Sequence, residues 1–506
     1  MVFSDLTFIY AFLPLCILAH WLTRSLNARN YILLAASLLF YGLGEPVYII
    51  LMLVAAVSAY SFAFQIDINR GTRKSRVFLA LSVVVNVSFL FFYKYAPLFI
   101  ETFSQIFRLN LSAPRIRLPI GISFYTFQIL TYTVDVYRGK TKLQTSLAKF
   151  LMYVTMFPQL IAGPIVRYED VERQLDRRSI NVERFSSGVI RFICGLAKKV
   201  LLADYAGTIA DRLLGAAAGG AAYTGAEAAR GIAEGIREGL GVTGGALTAN
   251  ISAGGISTLG AWLGLLFFGF QLYFDFSGYS DMAIGLGRLF GFEFMENFRH
   301  PYYSKSITEF WRRWHISLGT FFRDYVYIPL GGNRRYQIRN IAIVWLLTGL
   351  WHGANWNFVI WGCYYGVILI VEKYLSLLVP VKPPAFISWL CSFFIVIMGW
   401  SVFYFTDMVY IRDTLAAMFS YRPELNAQIT KLISDNLFFL AVCLTASMPW
   451  AKQLYERALN WGEKRHGRAA AVVNSALSIT YAAVLLLICS AVRVSSDYSA
   501  FLYWRF

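Results

Sequence analysis

The sequence predicts an all-α protein that crosses a membrane many times, and its composition is the first reason. Hydrophobic residues make up 57% of the 506 residues, charged residues only 15%, and mean hydropathy is +0.53. A soluble globular protein carries about 25% charged residues, so this chain has too few to cover the surface of an ordinary soluble enzyme. The 42 Phe, 31 Tyr and 13 Trp residues also exclude a disordered chain, because disordered segments are poor in aromatic residues.

Apolar runs follow one another along the chain, and a helix needs about 20 apolar residues to cross a bilayer. The candidate runs lie near 6–22, 31–43, 47–66, 77–100, 118–135, 149–166, 189–203, 261–274, 341–351, 358–379, 386–406, 432–449 and 470–492. The shortest, of roughly 12–15 residues, are expected to be re-entrant, interfacial or buried in the bundle. The pattern favours about eleven spans. The first run lacks a basic leader and a small-residue cleavage site, so we interpret it as a span rather than a signal peptide.

The net charge of +17 comes from short basic loops between the apolar runs. These loops carry Arg24 and Arg29 after the first run, Arg70, Arg73, Lys74 and Arg76 after the third, and Lys452, Arg457, Lys464, Arg465 and Arg468 before the last. Cytoplasmic loops of membrane proteins are enriched in Lys and Arg. The pattern therefore predicts an extracytoplasmic N-terminus. Since no nucleic-acid-binding motif is present, we expect the positive charge to serve the lipid bilayer and not a nucleic acid.

One segment departs from this pattern. Residues 215–260 are mostly Gly and Ala, with one weakly amphipathic piece from Glu227 to Leu240. We expect a flexible insertion or loop, with a packed Gly/Ala helix in the membrane as the alternative. The whole chain, residues 1–506, is interpreted as a single membrane domain that contains this insertion. The six cysteines lie mostly in apolar runs without metal-ligand spacing, so we expect core residues rather than disulfides, and no metal site.

The first candidate for chemistry is His352, in the segment WLLTGLWHGANWNFVIWG, which has no charged residue from Trp345 to Trp361. Histidine titrates near neutral pH and is the usual general acid or base. Gly349 and Gly353 flank it and would let a backbone or substrate approach closely. Asn355 and Asn357 supply hydrogen-bonding groups, and Trp351, Trp356 and Trp361 supply pocket walls. The alternative is a buried histidine whose ring is satisfied by a nearby carbonyl.

The second candidate is His315, in the segment TEFWRRWHISLGTFFRDYVYIPLGGNR. Trp311, Trp314, His315 and Leu318 fall at helical spacings and predict one face of an amphipathic helix in the membrane interface. On the functional interpretation, His315 lies at the mouth of the pocket that holds His352. The alternative is an anchoring helix with no catalytic role, since interfacial Trp and Arg are common in membrane proteins.

A third group is the pair Asp275 and Asp281 in LYFDFSGYSDMAIGLGRLFG. Carboxylates in an apolar stretch need a partner or water. The cations considered as partners are Arg288, Arg299, Arg312, Arg313 and Arg323. We favour structural ion pairs over a catalytic role for the two aspartates. The predicted donor and substrate pocket consists of Trp311, Trp314, Asn355, Trp351, Asp275, Asp281 and Arg323.

Several segments together resemble a known family. They are MVFSDLTFIYAFLP, ARNYILLAASLLFYGLGEP, PIGISFYTFQILTYTVDVYRG, FPQLIAGPIVRY, YFDFSGYSDMAIGLGRLFGFEFMENF, FWRRWHISLGTFFRDYVYIPLGGNR and LLTGLWHGANWNFVIWG. In this order, from residue 1 to about 405, they resemble the membrane-bound O-acyltransferases. Within that family they are most similar to the bacterial membrane subunits that O-acetylate alginate and related polysaccharides.

The resemblance implies a ring of transmembrane helices around a thin core pierced by a central tunnel. It implies that His352 is the essential histidine of the family and that His315 matches a second histidine of the polysaccharide branch. It also implies acetyl-CoA as a cytoplasmic donor, no bound cofactor, and location in the bacterial inner membrane. The acceptor would be an alginate-like polymer, cellulose or peptidoglycan, reached directly or through a periplasmic acetyltransferase partner of the SGNH type.

Three other functions stay open at this point. One is D-alanyl or other acyl transfer to a wall polymer from a carrier-protein thioester. A second is transport of a polysaccharide or a lipid-linked sugar, which would explain many spans and interrupted helices but not the lone histidine of WHGAN. The third is a scaffold that only tethers periplasmic partners.

Overall fold

A computed structural model describes residues 2–109, 111–112, 114, 116–161, 163–214, 256–378, 383–424 and 427–495. The segment 215–255 lies outside this range. The predicted Gly/Ala-rich loop, with its piece from Glu227 to Leu240, therefore stays a prediction. Its last residues are described, and a helix begins there at Thr258.

The described residues form helices and connecting loops, without a β-strand among them. In the first part of the chain the α-helices are α1 (Leu13–Leu22), α2 (Leu26–Gly44), α3 (Tyr48–Ile68), α4 (Arg73–Leu90), α5 (Ala96–Ile106), α6 (Ile122–Arg138), α7 (Leu147–Thr155), α8 (Phe157–Leu160), α9 (Tyr168–Asp176), α10 (Val182–Ala197) and α11 (Asp204–Leu214). The later helices are α12 (Thr258–Leu289), α13 (Ile307–Arg313), α14 (Ile316–Phe322), α15 (Gln337–His352), α16 (Trp356–Leu378), α17 (Ala385–Tyr404), α18 (Met408–Phe419), α19 (Ala427–Asp435), α20 (Leu437–Ser447) and α21 (Pro449–Ser495). Short π-helical turns lie at Phe8–Phe12, Phe91–Tyr95, Lys198–Ala203 and Arg323–Tyr327, and a 3₁₀ turn at Pro301–Tyr303.

Six of the described helices are long and apolar enough to span a membrane. They are Tyr48–Ile68, Arg73–Ile106, Thr258–Leu289, Trp356–Leu378, Ala385–Tyr404 and Val473–Ser495. A seventh is possible if Ile429–Asp435 and Leu437–Ser447, which meet at 51°, form one bent span. These helices confirm the predicted polytopic helical membrane protein. The number of about eleven spans and the ring around a tunnel stay predictions.

The chain forms two compact units. The first contains the described residues up to Phe192 together with Tyr279–Glu296. The second contains the described residues from Ile193 to Gly278 and from Asn297 onward. Both candidate histidines belong to the second unit. The expectation of one domain over residues 1–506 stays a prediction.

Aromatic rings fill the core of the first unit. Phe157 lies 5.6 Å from Phe40 and 6.1 Å from Phe8, measured between ring centroids. The run near 149–166 forms two short buried helices, α7 and α8, rather than one span. The backbone turns at Met156, where ψ is 112°, and Pro158 opens the following helix. Proline is favoured in a first helical turn because it has no N–H to leave unsatisfied.

Helix α12 is longer than the apolar run that predicted it. The run ends near residue 274, but the helix continues to Leu289 and carries Asp275 and Asp281. Of the 18 residues in the most apolar stretch of α12, 72% are buried inside the protein. The corresponding fraction for the helix Val473–Ser495 is 11%. A buried helix can carry carboxylates only where cations pair with them. Hydropathy alone therefore placed its end too early.

The cysteines divide into two groups. Cys16, Cys443 and Cys489 are buried, as expected for core residues, and Cys194 is half-buried, whereas Cys363 and Cys391 are exposed. The expectation of a core position was wrong for the latter pair. Their helices, α16 and α17, are candidate spans, and an apolar run in a membrane helix does not distinguish a buried face from a lipid-facing one.

Candidate active site

Helices α15 and α16 form a tight hairpin that positions His352. The two helices touch at glycines: a Cβ added to Gly349 would lie 2.3 Å from the Phe358 carbonyl oxygen. One added to Gly362 would meet the carbonyl oxygen of Trp345. The sequence predicted that Gly349 leaves room for a backbone or a substrate. In the structure that room is filled by the backbone of α16.

His352 is the last residue of α15, and its ring is surrounded by aromatic side chains. It is 1% exposed. Its ring centroid lies 4.8 Å from Trp361, 5.0 Å from Trp351 and 5.4 Å from Phe403, each in an edge-on arrangement. The chain leaves the helix at Gly353 in an extended conformation. Trp351 and Trp361 therefore pack against the His352 ring, and their role as pocket walls stays a prediction. Trp356 is 50% exposed and does not line this group.

Hydrogen bonds fix the N-terminus of helix α13, which carries Trp311 and leads to His315. Ser306 caps the helix by accepting a hydrogen bond from the N–H of Glu309 at 3.0 Å. The Glu372 carboxylate on α16 accepts hydrogen bonds from the N–H groups of Ile307 and Thr308, at 2.6 and 3.0 Å. These bonds satisfy donors that every helix start leaves open, and a carboxylate there also complements the helix dipole.

The predicted amphipathic helix through Trp311, Trp314, His315 and Leu318 is interrupted, so this prediction was wrong. Helix α13 ends at Arg313, Trp314 is extended, and His315 adopts a left-handed conformation with φ 46° before α14 begins. The segment from 297 to 299 competes for the backbone. The N–H of Ile316 donates to the carbonyl of Asn297, and the N–H of Arg299 donates to that of Arg313, both at 3.0 Å. No glycine or proline marks this break in the sequence.

His315 is also fully buried, and Asn297 and Ser317 hold it in place. It is 2% exposed. Its Nδ1 lies 3.3 Å from Asn297 Oδ1 and 3.4 Å from Ser317 Oγ. The ring meets Phe276 edge-on at 4.6 Å. His315 lies outside the candidate spans, and burial lowers its pKa to about 3, so the ring is neutral at ordinary pH.

The two histidines contact the same indole. The Trp351 ring lies 5.5 Å from His315 and 5.0 Å from His352. The structure thus brings together the two residues that the sequence singled out for chemistry. Trp311 joins the group through Trp361, at 5.5 Å. Trp314 packs on Trp400 at 5.0 Å.

Asp275 and Asp281 are both in ion pairs, as the sequence favoured, but with cations that it did not suggest. Lys199 Nζ lies 2.8 Å from a carboxylate oxygen of Asp275 and 2.7 Å from one of Asp204. The side chains of Lys199 and Asp275 are almost fully buried. Arg191 pairs with Asp281 at 2.6 Å and with Glu296 at the same distance. These cations come from α10 and from the π-helical turn after it, more than 70 residues earlier in the chain.

The remaining predicted pocket residues are more exposed than the aromatic group around His352. Arg323 has a side chain that is 61% exposed and pairs with Asp324 at 2.7 Å. Asn355 is half-buried, and its backbone carbonyl accepts from the N–H of Phe358 as α16 begins. Arg323 is therefore no wall of the aromatic group. Among the described residues there is no cluster of three or more His, Cys, Asp or Glu side chains placed to hold a metal.

Comparison with known proteins identifies the class. Residues 251–411, which include both histidines, match MBOAT, the membrane-bound O-acyltransferase family. The probable alginate O-acetylase AlgI of Azotobacter vinelandii is 36% identical over the whole of both chains. The peptidoglycan O-acetyltransferase of Helicobacter pylori is 33% identical over 80% of this chain and 77% of that protein. The teichoic acid D-alanyltransferase of Streptococcus thermophilus is 28% identical over 50% of this chain and 56% of its own.

The chain therefore belongs to the membrane-bound O-acyltransferase family. It is an acyltransferase embedded in a membrane by several helices, which confirms the resemblance seen in the sequence. Family membership favours this activity over the transporter and scaffold alternatives.

Proposed function

We propose that the protein O-acetylates an exported polysaccharide from the bacterial inner membrane, with acetyl-CoA on the cytoplasmic side as the donor. The acetyl group would reach the polymer directly or through a periplasmic SGNH-type partner. The names of the relatives, an alginate O-acetylase and a peptidoglycan O-acetyltransferase, support this acceptor class. The observation that carries the proposal is the pair of buried histidines, His315 and His352, that contact the same indole ring of Trp351.

In the proposed reaction His352 acts as general base. The acceptor oxygen attacks the thioester carbonyl, a C–O bond forms, and the C–S bond to CoA breaks. The hydroxyl proton moves to the His352 ring and ends on the departing thiolate, so that CoA leaves as the thiol. A positioned base contributes about 10²–10⁴-fold to such a step. A nearly dry aromatic site suits it, because charge interactions are stronger where water is excluded.

The surrounding residues have supporting roles in this proposal. Trp311, Trp314 and Trp351 form the apolar wall that keeps water from the thioester. Asn355, or the backbone amides after Gly353, would donate to the developing oxyanion. His315 relays a proton next to the shared indole, on its way from the acceptor hydroxyl to the departing thiolate. Asp275 and Asp281 support α12 through their ion pairs rather than acting on the substrate.

The test uses purified protein in nanodiscs with radiolabelled acetyl-CoA. Thioester loss is followed together with label on the protein, on added polysaccharide and on a candidate partner. We expect His352→Ala to lower thioester loss by at least about 10²-fold. His20→Ala is the matched control. His20 is also a fully buried histidine and meets Phe290 edge-on at 5.3 Å, but it belongs to the other compact unit. Equal turnover in His352→Ala and wild type, at equal protein level, would refute the assignment.

The D-alanyltransferase relative makes a carrier-bound donor the second candidate. The same assay separates the two with a D-alanyl carrier-protein thioester in a parallel reaction. Turnover of that donor and not of acetyl-CoA would replace the acetyl proposal while leaving the histidine roles intact.

We also propose that the N-terminus is extracytoplasmic. The loop of Arg70, Arg73, Lys74 and Arg76 would then be cytoplasmic. A cysteine placed at Arg73 should resist a membrane-impermeant maleimide in intact spheroplasts and react after lysis. Labelling in intact spheroplasts would reverse the orientation. The native exposed Cys363 and Cys391 are first replaced by serine to remove background.

A further inference from the structure

Asn297 is held in one orientation by its neighbours. It is fully buried. Its Oδ1 accepts hydrogen bonds from the backbone N–H of Ser317 at 3.2 Å and from the Ser317 hydroxyl at 2.9 Å. A backbone N–H can only donate, so the amide oxygen, not the amide nitrogen, must face Ser317. The amide of Asn297 therefore cannot be turned over without losing this bond.

The same oxygen faces His315 Nδ1 at 3.3 Å. An amide oxygen has no proton to donate, and the Ser317 hydroxyl, 3.4 Å from Nδ1, already donates its proton to Asn297 Oδ1 at 2.9 Å. The hydrogen in the contact between Asn297 and His315 is therefore on Nδ1. A neutral imidazole carries one proton, so the lone pair is then on Nε2. The backbone N–H of Ser317 thus fixes the amide of Asn297, and that amide fixes the tautomer of His315.

The backbone around His315 supports this arrangement. His315 is one of four non-glycine residues with positive φ among the described residues. Such a conformation persists where the surroundings over-determine it, and it is frequent at functional sites. Here the Asn297 carbonyl accepts from Ile316 N–H at 3.0 Å, so Asn297 holds both the strained backbone and the ring. The ring also meets Phe276 and Trp351 edge-on.

We propose that Asn297 is a positioning residue that keeps His315 in the Nδ1–H tautomer, so that Nε2 is the atom that accepts a proton during acyl transfer. This inference rests on the proposed function for its catalytic part only. The tautomer itself is a property of the resting protein. The proton taken at Nε2 comes from the acceptor hydroxyl or from protonated His352, and it is passed on to the departing thiolate.

The first experiment measures the tautomer directly. Protein labelled with ¹⁵N-histidine is placed in nanodiscs, and the two ring-nitrogen shifts of His315 are assigned by their loss in His315→Gln. Only five histidines are present, which keeps the spectrum simple. We expect a protonated Nδ1 and an unprotonated Nε2 in wild type, and a mixture of tautomers in Asn297→Ala. A wild-type ring protonated on Nε2 would overturn the inference even if the enzyme is fully active.

The second experiment measures acyl transfer. We expect Asn297→Ala to lower kcat by about 10–100-fold, by analogy with the hydrogen-bond partners that orient metal-ligating histidines. The change in the donor KM should be much smaller. Asn297→Asp keeps an oxygen that can accept from both Ser317 and His315. It should retain the Nδ1–H tautomer and transfer acetyl faster than Asn297→Ala.

The matched control is Asn340→Ala. Asn340 is also fully buried, and its amide donates to the carbonyls of Gly332 and Arg335. It lies twelve residues before His352 on α15, about 18 Å along the helix. A purely structural role for Asn297 predicts that both alanine variants lose thermal stability and keep the same kcat per folded molecule, and that result would refute the inference. An inactive wild type with the expected tautomer would instead contradict the proposed function.

Discussion

The close contact at Gly349 predicts a large effect for a single methyl group. Gly349→Ala would place a Cβ 2.3 Å from the carbonyl oxygen of Phe358, whereas ordinary contact begins at 3.4 Å. The oxygen belongs to a helix backbone and cannot rotate away. Helices α15 and α16 must therefore separate by about 1 Å at this level, since the shortfall is the difference between the two distances.

The displacement matters because Gly349 is one turn before His352. Overpacking of this kind costs about 1–3 kcal/mol, which exceeds the roughly 1 kcal/mol that alanine gains over glycine in a helix. A shift of about 1 Å at a reacting group can cost about 10²-fold in rate. We therefore expect Gly349→Ala to fold with a lower Tm and to lose about 10²-fold in the rate of acyl transfer. The rate falls because separation of the helices moves His352 on α15 away from Trp361 on α16.

The assay combines thermal unfolding in nanodiscs with thioester cleavage at equal protein concentration. Gly42→Ala is the matched control. A Cβ there would meet only the end of the Ile49 side chain, at 3.5 Å, so stability and turnover should stay at the wild-type level or slightly above. If Gly349→Ala unfolds and turns over like Gly42→Ala, then the tight hairpin does not position His352 and the reasoning fails.

Three further predictions concern charge, packing and pH. Lys199→Met should lower the free energy of unfolding by about 3–5 kcal/mol because it removes the cation paired with the buried Asp275 carboxylate. Adding Asp275→Asn should recover part of the lost thermal stability. An unchanged Tm in the single variant would contradict the ion pair. Trp361→Ala should cost about 3–5 kcal/mol, whereas Trp356→Ala, at a half-exposed position, should cost far less; equal losses would contradict the buried cluster. Since the pKa of His315 is lowered from its ordinary value near 6.5 to about 3, the unfolded chain binds the extra proton first, and stability should fall as the pH drops from about 6.5 toward 3. His315→Gln should weaken this dependence, and an unaltered pH profile of Tm would argue against a buried neutral ring.

The class of protein could be predicted from the sequence because it depends on composition and local pattern. Apolar runs must become helices in a membrane, where backbone groups have no water to bond with. The same reasoning picked out His352, a lone ionisable residue in a charge-free aromatic segment. Trp351 and Trp361, which contact its ring, belong to the same aromatic segment.

Other features could not be predicted because they depend on residues distant in the chain. The break at His315 comes from hydrogen bonds to residues 297–299, which compete with the helix although the local sequence favours it. The cations of Asp275 and Asp281 come from segments more than 70 residues away. A search limited to nearby arginines could not find Lys199 or Arg191.

The sequence by itself determined a helical membrane protein and its family, and it singled out two histidines as candidates for chemistry. Only the tertiary structure decided that these histidines share Trp351 and that Asn297 fixes the ring of His315. It also decided that Gly349, one turn before His352, serves helix packing. The physical reason is that composition and periodicity act within a segment, whereas a buried polar group must find its partner in three dimensions, wherever the chain happens to supply it.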